Sequence, residues 1–153
     1  MLRPHIKLLT LPFRQLAWIL IKQGIRHKFP TVKQLNTKEL ATWLEKEPSN
    51  LQLIDIRTSE EFTMSHLPQA RHIPDLETAQ ANVNSQLPII AYCSVGYRSS
   101  KLAEQLQSLG YQQVWNLEGS IFQWHNEGRT LYRNGEETKL IHPYNSFWKW
   151  LLK

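Results

Sequence analysis

One stretch of the chain concentrates residues able to do chemistry. Ile89-Ile90-Ala91-Tyr92 is an apolar run of strand length, and Cys93 follows it directly. Ser94, Val95, Gly96, Tyr97 and Arg98 complete a short loop, and Ser99 opens a run with Leu102, Ala103, Leu106 and Leu109 at helical spacing. A buried strand thus delivers a thiol to its carboxyl end, where sites form in open α/β sheets. The backbone N–H groups of such a loop can converge on one point and bind an anion. The helix that follows adds the positive end of its dipole. Gly96 permits backbone angles that a side chain would forbid. Arg98 supplies a permanent cation with a fork of donors. Surroundings of this kind stabilise a thiolate. The chemistry they suit is nucleophilic attack by Cys93 on an anionic donor. The plainer alternative is a small buried cysteine that merely ends a strand.

A second charged group sits after the apolar run Leu51 to Ile56, with Asp55 near its end and Arg57 and Glu61 beyond it. Arg57 is expected to pair with a nearby acid. Arg98 either binds the donor or is tied to Glu61, and the sequence leaves both open. The six histidines form no ligand cluster, and His66 and His72 read as structural. No metal and no cofactor is expected.

These motifs together resemble the rhodanese superfamily, the single-domain sulfurtransferases. The loop is similar to that family's Cys-x-x-Gly-x-Arg-Ser pattern, here Cys93, Gly96, Arg98 and Ser99. Leu53 to Phe62, followed by His66 to Pro74, resembles its Asp-x-Arg, Glu-Phe and Gly-His-Ile-x-Gly-Ala-x-x-Ile-Pro signature. Leu117-Glu118-Gly119-Ser120 with Trp124 resembles the Gly-Gly-x-x-x-Trp that starts the last helix. The match spans about residues 31–130. Ser65, Pro68 and Ser120 depart from its glycines, in turns expected to lie away from the cysteine.

The resemblance implies a double displacement. Cys93 takes a sulfane sulfur from a small anionic donor such as thiosulfate, forming a persulfide, and passes it to a thiol or to cyanide. A protein sulfur acceptor is also implied. Backbone N–H groups of Ser94 to Arg98 would stabilise the persulfide, and Asp55 would brace the cysteine loop. A sulfur carrier or a protein-binding module with little thiosulfate turnover is the alternative. A phosphatase or arsenate reductase is a remote one: four residues separate Cys93 from Arg98, and the related phosphatases have one more.

The elements that must position these residues alternate. Strands are expected at Val32 to Leu35, Leu51 to Ile56, Ala70 to Ile73, Pro88 to Tyr92 and Val114 to Leu117. Helices are expected from Thr37 as cap to about Lys46, at Thr58 to Met64, Ser99 to Leu109 and Gly119 to Asn126. This order predicts a rhodanese-like α/β fold, with a mainly parallel sheet of about five strands covered by helices on both faces. Residues 131–153 are expected to form a hairpin around Asn134-Gly135 and an aromatic tail. At 153 residues, with 41% hydrophobic and 20% charged, the chain is one ordinary globular domain with extensions. A single cysteine excludes an internal disulfide and makes a reducing, cytoplasmic setting the default.

The formal charge of +5 hides an asymmetry. Residues 1–38 hold eight of the 18 Lys and Arg and none of the acids. Arg3, Lys7 and the leucines at 8, 9 and 11 faintly resemble a signal peptide, but no cleavage site follows. No run reaches the roughly 18 apolar residues of a membrane-spanning helix, and nothing in the pattern favours nucleic acid. Residues 1–30 therefore read as a basic extension. Its amphipathic helix, from Pro12 to about Ile25, presents Phe13, Leu16, Ala17, Leu20, Ile21 and Gly24 on one face. That face either docks on the Phe147 to Leu152 tail or lies in a membrane interface through residues 1–28. Burying some six apolar side chains gains roughly 1.5–3 kcal/mol each, against about 1 kcal/mol per basic residue at an anionic surface. Docking is therefore the expected outcome. Deleting residues 1–28 should lower stability, and sedimentation should show no salt-sensitive binding to anionic vesicles. Vesicle binding lost on that deletion would show the interfacial helix instead.

Overall fold

Side chains alternate between the faces of a strand, and here that period divides the interior in two. A computed structural model describes residues 12–153. Strands β1 (Lys33–Leu35), β2 (Gln52–Asp55), β3 (Arg71–His72), β4 (Ile89–Tyr92) and β5 (Val114–Leu117) form one parallel sheet in the order β1-β5-β4-β2-β3. Helices α1 (Phe13–Lys28), α2 (Thr37–Lys46), α3 (Ser59–Met64), α4 (Leu76–Asn82), α5 (Tyr97–Ser108) and α6 (Ser120–Asn126) surround it. Ile54, Ile89, Ala91, Cys93 and Val114 share one core with residues of α1, α4 and α5. Leu53, Ile90, Tyr92 and Leu117 share the other with residues of α2 and α6. The expected α/β architecture is therefore the one observed.

Some local expectations differ. Asn36, not Thr37, caps α2: its side chain accepts from the Glu39 N–H, and Glu39 answers in a capping box. Thr37 is buried and donates to Glu127 instead. Helix α4, capped by Asp75, was not expected from the sequence. Only Ala79 of its residues is fully buried, so its apolar signal is slight. Helix α5 begins at Tyr97, two residues before the expected Ser99.

The buried stripe of α1 is also rotated from the expected one. Ile25 is buried, with Ala17, Trp18 and Ile21 packed against the cores, while Phe13 is 76% and Leu20 59% exposed. The helix docks on the domain: Phe29, just beyond it, meets Tyr97 edge-on at 5.2 Å, and Arg26 pairs with Glu118 at 2.6 Å. Near its start, Phe13 stacks on Trp150 and Arg14 donates to the Trp150 carbonyl. Residues 1–11, with the signal-like Arg3, Lys7 and leucines, lie outside the described residues. No helix among the described residues is long and apolar enough to cross a membrane. The hairpin forms around Asn134-Gly135 as strands β6 (Leu131–Arg133) and β7 (Glu136–Thr138), both turn residues taking positive φ.

At the end of β2, Asp55 and Arg57 form an ion pair without solvent exposure. Arg57 Nε and Nη2 grip the carboxylate, and Nη2 also reaches the Ser65 carbonyl at 2.6 Å. The turn at Ser65 is thereby tied to the sheet. Removing one partner of a buried pair strands the other charge in a dry site and costs about 3–5 kcal/mol. Asp55→Ala should lose about that much in urea denaturation, whereas the double change Asp55→Leu with Arg57→Met should lose clearly less. Equal losses would show that packing, and not the charge, matters there.

Candidate active site

The cysteine loop is pinned from its far side by the start of α6. Cys93 donates its N–H to the Ser120 hydroxyl at 3.2 Å, and that hydroxyl donates to the Leu117 carbonyl at 2.9 Å. The Ile121 and Phe122 N–H groups donate to the Cys93 and Ser94 carbonyls. First-turn N–H groups have no partner within their own helix. Here the loop supplies the acceptors. Ser120 holds this place with a left-handed φ of 50°, uncommon for a residue with a side chain. The expectation that Ser120 lies away from the cysteine is thus corrected: it touches the cysteine's own backbone. A glycine there would supply no hydroxyl.

Cys93 itself is 1% exposed. The Gly96 N–H points at its sulfur at 3.2 Å, and the Ser99 hydroxyl lies 3.4 Å away. Gly96 takes φ +112°, and a Cβ there would meet Asn116 Nδ2 at 3.1 Å. The positive φ strains any other residue there, and the contact leaves a side chain tight against Asn116. No side chain caps α5, so its first N–H groups are left for the cysteine loop or an anion. Behind the sulfur runs a polar line. Ser99 donates to Asn116 Oδ1 at 2.6 Å, and Asn116 donates to Gln34 on β1 at 2.7 Å.

Arg98 reaches Glu61. Its Nη1 and Nη2 contact the two carboxylate oxygens at 3.0 and 2.9 Å, and Nη2 also contacts Ser94 Oγ. Ser94 Oγ in turn donates to Glu61. Glu61 occupies the third position of α3 and closes a capping box with Thr58. Burial alone would raise its pKa. The hydrogen bonds from Arg98 and the Thr58 N–H, with the charges of Arg98 and Arg57, overcome this and hold it at about 2.

The structure thus gathers Cys93, Ser94, Gly96, Arg98, Ser99 and Glu61 in one hydrogen-bonded group. Val95 and Tyr97 line the open side with Tyr144 and Trp148. Asp55 and Arg57 bond to each other, and Arg57 bonds to the Ser65 carbonyl, while Glu61 bonds to Ser94 and Arg98 of the loop. His66 and His72 sandwich Phe62 at 4.4 and 4.9 Å.

Residues 36–127 match the family model for the rhodanese-like domain, and the chain belongs to that family. The "Putative sulfurtransferase YtwF" of Bacillus subtilis (strain 168) is 30% identical over 67% of this chain and 98% of its own length. "Uncharacterized protein YqhL" of the same organism is 33% identical over 48% of this chain, and the matched part is 60% of its length. A solved rhodanese-like domain protein from Staphylococcus aureus is 33% identical, with a TM-score of 0.57 over 67% of this chain and 99% of its own.

Several contributors were missed in the sequence. Asn116 is a buried amide in the otherwise apolar strand β5, and that contrast was the available signal. Glu61 is not among them: the sequence offers it as a partner for Arg98, and the Thr58-Ser59-Glu60-Glu61 spacing marks its capping box. Tyr144 and Trp148 come from the tail, where no local pattern points to the loop. Because Glu61 is more acidic folded than unfolded, its contribution to stability is present above about pH 4.5 and is lost as pH falls toward 2. Urea midpoints of the wild type should fall through that window, and those of Glu61→Gln should start lower and fall less. Parallel curves would exclude Glu61 as the source.

Proposed function

We propose that the chain is a sulfurtransferase that works through a persulfide on Cys93. The observation that carries this reading is the pinned cysteine, with the Gly96 N–H on its sulfur at the start of α5. Such an arrangement holds a thiolate and an incoming anion together. The thiolate attacks the outer sulfur of a donor such as thiosulfate. A new S–S bond forms to Cys93 Sγ, the donor's own S–S bond breaks, and its electron pair leaves with sulfite. A thiol or cyanide then takes the outer sulfur and returns the Cys93 thiolate. The relationship to YtwF, a putative sulfurtransferase, supports the same reading. In it, Ser94 to Ser99 form the cradle, Glu61 and Arg98 brace the loop, and Asp55 and Arg57 support the neighbouring strand end.

A second reading, a sulfur carrier loaded by a protein partner, draws on the near-complete burial of Cys93 and the pairing of Arg98 with Glu61. Intact-mass measurement after exposure to thiosulfate should show the added mass of one sulfur atom on wild type, removable by cyanide. Cys93→Ser should show none and should remain folded. Turnover that persists in Cys93→Ser would falsify the mechanism. Labelling by protein persulfides alone would establish the carrier.

A further inference from the structure

The pocket above Cys93 has about 160 Å³ of space, and two of the seven residues that line it come from far down the chain. Val95 and Tyr97 come from the cysteine loop, and Tyr144 and Trp148 come from the tail. The tail lies beyond the residues matched to the rhodanese-like domain. It is held firmly. Leu151 is fully buried, its carbonyl accepts from Asn126 Nδ2 at 2.7 Å, and Trp148 N–H donates to Asn145 Oδ1. Tyr144 sits in the turn before it with a left-handed φ of 66°, its N–H donating to His142 Nδ1 at 3.0 Å. Strain of this kind at an aromatic residue is tolerated where surrounding structure fixes it, often beside a site.

The wall is apolar where a dianion would prefer cations. Among the described residues, Arg98 is the one permanent charge lining the pocket. Glu61 compensates it on one side, and the Tyr144 ring covers its guanidinium at 4.7 Å on the other. Apolar space of about 150 Å³ is enough to hold a benzene ring. The pocket therefore offers N–H groups for one negative charge near the sulfur and aromatic surface for an organic body.

We infer that Tyr144 and Trp148 are specificity-determining residues that select an organic sulfane donor, one with an aromatic or short aliphatic body, over inorganic thiosulfate. This rests on the sulfurtransferase reading above. For an organic thiosulfonate, the Cys93 thiolate attacks the terminal sulfur and forms the new S–S bond. The donor's S–S bond breaks, and its electron pair leaves with an organic sulfinate. One negative charge remains on the persulfide and one on the sulfinate, as on the reactants. Sulfinate and sulfite differ in basicity and charge as leaving groups, so the contact made by the organic body is read from how a variant changes the ratio of the two donors' rates.

Benzenethiosulfonate and thiosulfate are therefore the probes, with cyanide as acceptor and melting temperatures recorded for every variant. Wild type should show kcat/KM at least about tenfold higher for benzenethiosulfonate, the order that one added apolar contact can give. Tyr144→Ala and Trp148→Ala should each lower the ratio of kcat/KM for benzenethiosulfonate to that for thiosulfate about tenfold. Trp148→Phe, which keeps the apolar wall, should retain most of the preference. Equal rates with both donors in wild type would overturn the inference, as would variants that lower both donors equally. If neither donor places sulfur on Cys93 of the wild type, the sulfur-transfer reading itself fails and takes the inference with it.

Discussion

The site depends on three hydrogen bonds from the start of α6 to Cys93 and Ser94. A cysteine at the end of a strand could point its sulfur in several directions. Here its N–H and its carbonyl are both committed to α6, so the loop leaves β4 along one path. That path then requires a sharp turn, which Gly96 makes with its positive φ beside Asn116. Only after that turn can α5 begin with its N–H groups near the sulfur. Helix α6 gains as well, because the loop carbonyls satisfy donors that would otherwise need a cap.

Two acid–arginine pairs stand close to this frame, and burial makes them differ. Asp55 and Arg57 are without exposure and knit the end of β2 to the Ser65 turn. Glu61 and Arg98 join α3 to the cysteine loop, with Arg98 still partly exposed. Glu61 serves two elements at once, as the reciprocal member of a capping box and as the anchor of the loop arginine. Such sharing couples the start of α3 to the loop, since moving either would break bonds in both.

Both extensions converge on the same loop. Helix α1 places Ile25 within 3.7 Å of where a Cβ on Gly96 would stand, and Phe29 meets Tyr97 edge-on. The tail approaches from the other side with Tyr144 and Trp148. The two extensions also hold each other, through Phe13 on Trp150 and Arg14 on the Trp150 carbonyl. The rhodanese-like core thus carries its loop between added walls. Exposed Phe13, Leu20 and Phe147 remain on the outer side of this arrangement.

By itself the sequence determined the strands, most helices and the place of the cysteine, because these rest on short-range signals. Apolar runs of strand length gave β2, β4 and β5, a 3.6-residue period gave α5, and Asn134-Gly135 gave the hairpin. The Cys93-to-Ser99 spacing located the loop for the same reason: all its parts are neighbours in the chain. What tertiary structure decided lies between distant segments. The choice of Glu61 as the partner of Arg98 spans 37 positions, and the Ser120 bond to Cys93 spans 27. The rotation of α1 about its axis followed from where the cores offered space, which put Ile25 inside and Leu20 outside against the helical-wheel expectation. Tyr144 and Trp148 reach the pocket from a tail whose Leu151 is fully buried in the core. Such pairings depend on three-dimensional packing, and no local period in the chain encodes them.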